Sequence, residues 1–594
     1  MSRFLATTAL EEFWDKSANL VFLGEWCLRY TRRHENVKLS AILARDPLDS
    51  RLQTDRAVDI VSALYERFLP QLANALNLLH DKQYSTRYWR ILVGPWLQFY
   101  VSVLYDRYSY IKAAVEDHPG ISTLGLSESD FVTPVDTLDF MSRIYGDLYN
   151  LQLYTRILVA MGVEVPRKSL PAKSERRSAP LPRRSARSIT KIAARRLINT
   201  VIRTLCGSRA IILKSSYFPR ALLIRLAFAS RLRALPSFVL PIQLHSSEPD
   251  SRRRSEILMF FQPSDDFERL LTRLLPDDLP QCFVENYRDI ESYSRKQYPA
   301  KPLAIFSAND WYYDEAFKQW AANSAEAGIP LLGSQHGGSY GLRTYLPAEE
   351  HEVAVTDRYY SWGWSRKDCH AQVVPSSAGK LMQKSKIGAN NCRNGILYVF
   401  TCPTSYLFAF PFTKHYWLEY LEWQFRFANA LPAEMQKVTR VRPYREDVGW
   451  QVAERWRDQM PQVKIESWEV PFLSSIENCR LYVCDIMLTT CLEALAANKP
   501  SIMFWNRDSD PMRTEAEPFL DDLRAAGILF DSPELAAEAA ARVYPDVEAW
   551  WNDPALQTAR RRFCDRFART SPSAFDEWVS ELGAVAKSGR QSRV

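Results

Sequence analysis

No stretch of 18 apolar residues occurs in this chain of 594 residues, so no membrane-spanning helix is expected. The first residues, "MSRFLATTALEEFW", carry acids where a secretion signal needs an apolar core. No C-x-x-C pair exists among the ten cysteines, and no histidine sits at finger-like spacing from a pair. A zinc site is therefore not expected, and the scattered thiols suit a reducing cytoplasm. The absence of G-x-x-x-x-G-K-[ST] argues against a Walker ATPase, and that of G-x-S-x-G against an α/β-hydrolase nucleophile elbow. No compact carboxylate cluster calls for a metal, so neither a metal nor a cofactor is expected. Histidine and glycine are also sparse, at 8 and 20 residues. That scarcity makes one loop conspicuous: "LGSQHGGSYG", Leu332 to Gly341, combines a histidine with glycines directly after an apolar run.

What is present is an ordinary folded composition, 46% hydrophobic and 24% charged, with an aromatic share of 12%. The length suits two large domains or several small ones. The net charge of +7 is local. From Arg167 to Arg196 there are eleven Lys/Arg and one acid, Glu175, so the rest of the chain carries −3.

Residues 1 to about 165 read as one early strand, "LVFLGEWC", followed by a helical region from about 30. Apolar residues recur at helical spacing from Ala57 to Leu79. Pro166 to Ser188, rich in Pro, Ser and Arg, reads as a disordered basic insertion. "AIILKSSYF" and "SFVLPI" then read as strands. "PLAIFS" and "IPLLGS" begin strand–helix units, and "EVAVTDRYYSWGW" brings a strand near Val353 to Ser361. From Gly395 the alternation is regular: "GILYVFT", "VTRVRPY", "VKIES", "RLYVCD", "SIMFW" and "ILFD" are separated by helical stretches. This pattern predicts an α/β fold of two Rossmann-like domains facing a cleft, with helical N-terminal elaboration and C-terminal helices. The expected bounds are 1–365 for an acceptor-side domain, 366–545 for a nucleotide-sugar-binding domain, and 546–594 for helices and a polar tail.

Candidate residues follow from where such sheets bind ligands, at carboxyl strand ends and helix starts. His336 is a candidate acid/base. Gly337 and Gly338 are expected to clear space for substrate, with Gln335 beside them. "SANDWYYDE" places Asn309, Asp310 and Asp314 at a strand end. Asp314 is the candidate nucleophile or base, with helix capping as the structural alternative. Glu25 ends the "FLGE" run as a third catalytic candidate, with Arg87 and Arg90 as expected partners and substrate contacts. In the second domain Arg442, Tyr444 and Asp447 follow a strand. Arg442 suits bidentate phosphate binding. Thr489, Thr490 and Glu493 open a helix suited to holding a donor phosphate.

Taken together, "FLATTALEEFW", "LGEWC", "RYWRILVGPWLQFYVSVLYDRY", "SQHGGSYG", "RPYREDVGW", "TTCLEALAANKPSIMFWN" and "WWNDPALQTARRRFCDRFART" resemble a bacterial family of surface-carbohydrate transferases encoded with O-antigen and capsule genes. The resemblance spans nearly the whole chain apart from the basic insertion and the last residues. It implies a transferase; with the two-domain layout, the leading reading is a GT-B-like glycosyltransferase of lipopolysaccharide, O-antigen or capsule biosynthesis. More remotely, the layout is similar to retaining transferases that use a CMP-activated ulosonic acid such as Kdo. Those enzymes place a His-Pro pair near the phosphate where this chain has Arg442-Pro443.

The expected partners are a nucleotide-sugar donor, CMP-linked on the remote resemblance, and a lipid-linked or polysaccharide acceptor. Residues 167–196 are a candidate contact with the inner face of an anionic membrane. No nucleic acid is expected. A nucleotide-sugar epimerase, a polyol-phosphate transferase and a non-enzymatic basic scaffold are the competing readings.

Overall fold

A computed structural model describes residues 3–170, 195, 197–382, 387, 390, 393–401 and 403–591. Short apolar runs buried on both faces form its parallel sheets, as expected where helices cover each side. The first large sheet has six strands: β7 (Ile211–Lys214), β8 (Ala234–Pro236), β9 (Ala304–Ser307), β10 (Leu331–Ser334), β11 (Arg358–Ser361) and β12 (Gln372–Pro375). Their spatial order is β12-β11-β10-β9-β7-β8, so the winding reverses between β7 and β9. The second has β13 (Ile396–Val399), β14 (Thr439–Arg442), β15 (Lys464–Ile465), β16 (Leu481–Cys484), β17 (Ser501–Phe504) and β18 (Leu529–Phe530). Its order, β15-β14-β13-β16-β17-β18, is that of a dinucleotide-binding domain, with the reversal between β13 and β16. The expected pair of Rossmann-like domains, with the layout of a GT-B fold, is the architecture found.

The N-terminal region departs from the expectation of one strand. It holds a four-stranded parallel sheet of β1 (Arg3–Ala6), β2 (Asn19–Phe22), β3 (Ala41–Leu43) and β4 (Ser122–Thr123), ordered β3-β2-β1-β4. Helices α1 (Arg51–His80), α2 (Thr86–Leu92), α3 (Gly94–Asp117) and α4 (Asp147–Ala160) accompany it. One apolar cluster joins this unit to the helices of the first large domain. Tyr406, Leu407, Ala409 and Phe410, from the loop after β13, are buried in the same cluster. Tyr406 donates to Asp147 (2.7 Å) and lies under the Arg107 guanidinium (5.3 Å to the ring centroid).

Several expected boundaries move. The first sheet extends through β12, past the expected division at 365, because β12 pairs with β11. The strand expected in "SFVLPI" lies just before it, at β8. Val353 lies in a helix that ends at Val355, and the following strand starts at Arg358. The expected insertion starts ordered: β6 (Arg167–Lys168) pairs with β5 (Gly125–Leu126), and residues 171–188 lie outside the described residues. The last helix returns to the first sheet. Trp578 packs on Tyr360 (4.9 Å between centroids) and Phe218 (4.9 Å), so this tail completes the first domain. Between the domains the core is continuous: Tyr340, Trp362 and Trp364 share one apolar cluster with Met487 and Leu492.

Candidate functional site

The reversal points of the two sheets mark the crevices where such sheets bind ligands. At the first, β7 ends on Lys214, and the chain takes left-handed conformations at Ser215 (φ 45°) and Tyr217 (φ 58°). Across the reversal, the Asn309 amide donates to the Tyr217 hydroxyl (3.2 Å). The Lys214 ammonium lies 3.7 Å from Asp310 and 3.2 Å from Asp314, and donates to the Val239 carbonyl (2.6 Å). Beyond β10 comes the glycine-rich loop, with Ser339 also left-handed (φ 72°). Three non-glycine residues in this sparsely populated region, each costing about 1–3 kcal/mol, mark backbone that the surroundings over-determine.

His336 sits at this edge with its side chain 21% exposed. Its Nδ1 is 3.3 Å from the Tyr340 hydroxyl and 3.5 Å from Glu352. Its ring centroid lies 5.9 Å from that of Tyr217. Burial, then the nearby Lys380 charge, holds the imidazole pKa down to about 4, against an opposing hydrogen bond to the Ala308 backbone. Burial also raises the Glu352 carboxyl well above the usual range, although Tyr359 (2.8 Å) and Tyr340 (3.1 Å) donate to it. Near neutral pH the imidazole is therefore neutral, and its approach to Glu352 is not an ion pair.

The other face comes from the second domain. After β16 the chain turns into α6 (Thr489–Ala496), whose start lies beside that sheet's reversal point. The cap residue Leu488 supplies no side-chain acceptor, and Thr489 and Thr490 are half-buried. The Gly338 amide donates to Thr489 Oγ1 (2.9 Å), and Ser339 Oγ donates to the Met487 carbonyl (2.8 Å). Lys380 lies 3.3 Å from Glu493 and 5.5 Å from the Tyr217 ring centroid. His336, Tyr217, Lys380 and the Thr489 helix start thus converge from both domains.

The two glycines correct one expectation. A Cβ on Gly338 would lie 2.3 Å from the Leu488 carbonyl carbon and 2.5 Å from the Thr489 nitrogen. One on Gly337 would lie 3.1 Å from Thr489 Oγ1. The space they leave is filled by the second domain rather than by substrate. They let two backbones meet.

Other expected roles also change. Gln335 is buried, and its amide is fully engaged. It donates to the Gly337 carbonyl (2.8 Å) and accepts from Trp362 N and Trp364 Nε1 (both 2.8 Å), so it shapes the loop rather than binding substrate. Asp314 caps α5 (Glu315–Glu326), accepting from Phe317 N (3.0 Å), and also faces Lys214. The capping alternative is the one observed. Asp310 is the more exposed of the two, and burial raises its pKa while Lys214 opposes. Arg442 is buried against Glu466 (2.8 Å), Ser475 Oγ (3.2 Å) and the Val470 carbonyl (2.9 Å), with Trp468 over its guanidinium (4.7 Å). Its donors are spent inside its own domain and not on a phosphate. Tyr444 is half exposed beside Trp468, and Asp447 accepts from Gly449 N (2.6 Å), closing a turn.

Glu25 pairs with Lys414 (2.7 Å), which also binds Asp46 (3.0 Å), and not with Arg87 or Arg90. Arg87 binds Asp357 (2.8 Å) and the Val355 carbonyl, while Arg90 binds Glu66 (2.6 Å). Both line a separate cavity. Lys214, Tyr217, Lys380, Tyr340 and Glu352 were not singled out from the sequence. Lys214 carried the same signal as Glu25, a charge closing an apolar strand. Tyr217 lies on an irregular segment and Lys380 in a single 3-10 turn, Gly379–Leu381, both without one. Among the described residues no group of three or more His, Cys, Asp or Glu could hold a metal ion.

The model of one protein family, described as LIC12162 family transferase, matches residues 3–582. No curated protein matches the sequence. Solved structures that are similar in outline include Acinetobacter baumannii MurG, at 11% identity over 63% of this chain and 99% of that one, with a TM-score of 0.31. They also include spinosyn forosaminyltransferase SpnP (13%, 64% and 100%, TM-score 0.31) and the wall teichoic acid polymerase TagF (10%, 68% and 96%, TM-score 0.32).

Proposed function

The chain belongs to the LIC12162 family of transferases, and from that premise we propose that it transfers a sugar from a nucleotide-linked donor to a surface-glycan acceptor at the His336–Thr489 crevice. The observation that carries the reading is the meeting of two sheet reversal points, with a neutral imidazole on one side and a helix start that no side chain caps on the other. Backbone N–H groups and hydroxyls at Thr489 and Thr490 suit the donor phosphates, with Lys380 supplying positive charge. His336 is unprotonated near neutral pH because it is buried, so its ring can accept a hydrogen bond from the acceptor hydroxyl and orient it. Asp310, rather than the capping Asp314, is the carboxylate left facing the crevice. No cofactor takes part in this scheme.

For the donor we propose a CMP-linked ulosonic acid such as Kdo, and for the acceptor an O-antigen or capsule glycan on a lipid carrier. Both rest on the motif resemblance. The protein would work at the inner membrane face through residues 167–196. No described helix is long and apolar enough to cross a membrane.

The test is a thermal-shift panel of CMP, CDP, UDP, GDP and ADP, followed by turnover with the donor of the preferred base. A ligand at 100 times its Kd should add about 2.7 kcal/mol of stability. His336→Ala should keep the shift and lose turnover. If no nucleotide stabilises the protein, or His336→Ala turns over normally, the reading fails. Turnover of a CDP-linked polyol instead would replace it with polyol-phosphate transfer.

A further inference from the structure

The helix Arg220–Ala229, between β7 and β8, departs from the usual pattern of surface helices. Its sequence, "RALLIRLAFA", holds eight apolar residues and two arginines, a composition found in helices that are covered on every side. One side is covered. Leu222 and Leu226 are buried in a cluster with Ile211 and Leu213 of β7 and Trp578 and Leu582 of the last helix. The other side faces solvent: Ile224 is 60% exposed and Phe228 73%. The same interval of four leads past the helix end to Leu232, 49% exposed. Arg231 (φ 53°) and Leu232 (φ 60°) hold left-handed backbone that glycine would adopt without strain. Strained backbone thus keeps an apolar side chain in water.

We propose that this outer face docks on an anionic lipid surface, with Ile224, Phe228 and Leu232 entering the boundary between headgroups and acyl chains. Charge selects that partner. From residue 176 to residue 247 the chain has fifteen Lys/Arg and no acid. Arg220, Arg225 and Arg231 flank the apolar line and are exposed. Arg225 lies over the Phe575 ring (4.5 Å to its centroid), and among the described residues none of the three has a carboxylate partner. A soluble polyanion would satisfy these arginines and leave three large apolar side chains in water. An apolar protein surface would cover the side chains and leave the arginines unpaired. An anionic bilayer takes both. The turn at Arg231 and Leu232 leads into the amino end of β8, opposite to the carboxyl strand ends that form the crevice. A membrane docked there leaves the crevice free.

The inference rests on the reading above that the protein works at a membrane face. To residues 167–196, read for their charge, it adds the side chains that enter the lipid. The test is co-sedimentation of the full-length protein with phosphatidylglycerol vesicles and with phosphatidylcholine vesicles. Affinity should be about tenfold or more higher for phosphatidylglycerol and should fall as salt rises. The double variant Ile224→Asp, Phe228→Asp should lose about tenfold or more of it. Arg220→Ser with Arg231→Ser should lose about thirtyfold, or about fivefold for each arginine. All four side chains are exposed, so both variants should melt with the parent, and Phe228→Ser serves as the milder apolar change. Equal binding to the two lipids, or an apolar variant that binds like the parent, would overturn the proposal. Loss of binding on removing residues 171–188, with the apolar variant unchanged, would give the contact to that segment instead. A parent dimer that the apolar variant dissolves, without vesicle binding, would make the face a contact between copies. Loss in the arginine variant alone would point to a soluble polyanion, and each of these three outcomes refutes lipid docking by this face. Vesicle binding that persists while no nucleotide binds would support the face and overturn only the transfer reading. Nucleotide binding without vesicle binding would do the reverse.

Discussion

Substituting Gly338 tests whether the glycine-rich loop exists to bring two backbones together. A Cβ there would lie 2.3 Å from the Leu488 carbonyl carbon, where ordinary contact begins near 3.4 Å. The loop and the start of α6 would have to part by about 1 Å. Both atoms first met are backbone, so no rotamer change relieves the clash. Overpacking of this kind costs about 1–3 kcal/mol. Parting the loop also loses the Gly338–Thr489 and Ser339–Met487 hydrogen bonds, each worth about 1 kcal/mol. Gly338→Ala should therefore lose about 3–5 kcal/mol in urea denaturation. Gly337→Ala meets only the Thr489 hydroxyl, at 3.1 Å, and should lose under about 1 kcal/mol. A double-mutant cycle separates the two causes. With Thr489→Ala as background, Gly337→Ala should cost nothing further, whereas Gly338→Ala should still cost about 2–4 kcal/mol, since only its hydrogen bond to Thr489 is already gone and the backbone clash remains. Turnover should follow the same order. A Gly338→Ala protein as stable and active as the parent would refute the close-approach argument.

His336 has a native pKa of about 4 against an ordinary 6.5, so its contribution is whole above 6.5 and is lost as pH falls toward 4. Relative to His336→Gln, the parent should lose about 1–2 kcal/mol between pH 7 and pH 5. Parallel stability–pH curves would show an imidazole free in solvent. Arg442→Ala should cost about 3–5 kcal/mol by stranding Glu466, yet leave nucleotide affinity of the folded protein unchanged. Weakened nucleotide binding would return Arg442 to the donor site. Asp314→Asn should keep most of the stability, because asparagine caps as well. Asp314→Ala should lose about 1 kcal/mol or more, and equal melting curves for the two would remove the capping role.

The large sheets were legible because their strands are short, wholly apolar runs between helical stretches. The glycine-rich loop was legible because histidine and glycine are scarce elsewhere. The N-terminal sheet was hidden by its size: β4 is two residues long and pairs with β1 from more than a hundred residues away. Pairing misled in the same way at single residues. Arg442 looked like a phosphate ligand because Glu466, 24 residues on, cannot be seen as its partner in sequence. Gln335 looked free because its acceptors' partners, Trp362 and Trp364, belong to the next strand–loop unit. Tyr217 and Lys380 reach the crevice only through the path of a loop and of a single 3-10 turn.

The loop after β13 sets how often the crevice can gape. Swinging the second domain away from the N-terminal unit would draw Tyr406, Leu407 and Phe410 out of a core in which they are at most 5% exposed. At about 1.5–3 kcal/mol for each side chain, that opening costs about 5–9 kcal/mol. Fewer than about one molecule in a thousand would then stand open at any moment. Rocking of whole domains is thus a rare excursion, and the crevice widens more cheaply by local motion of the loops at its mouth.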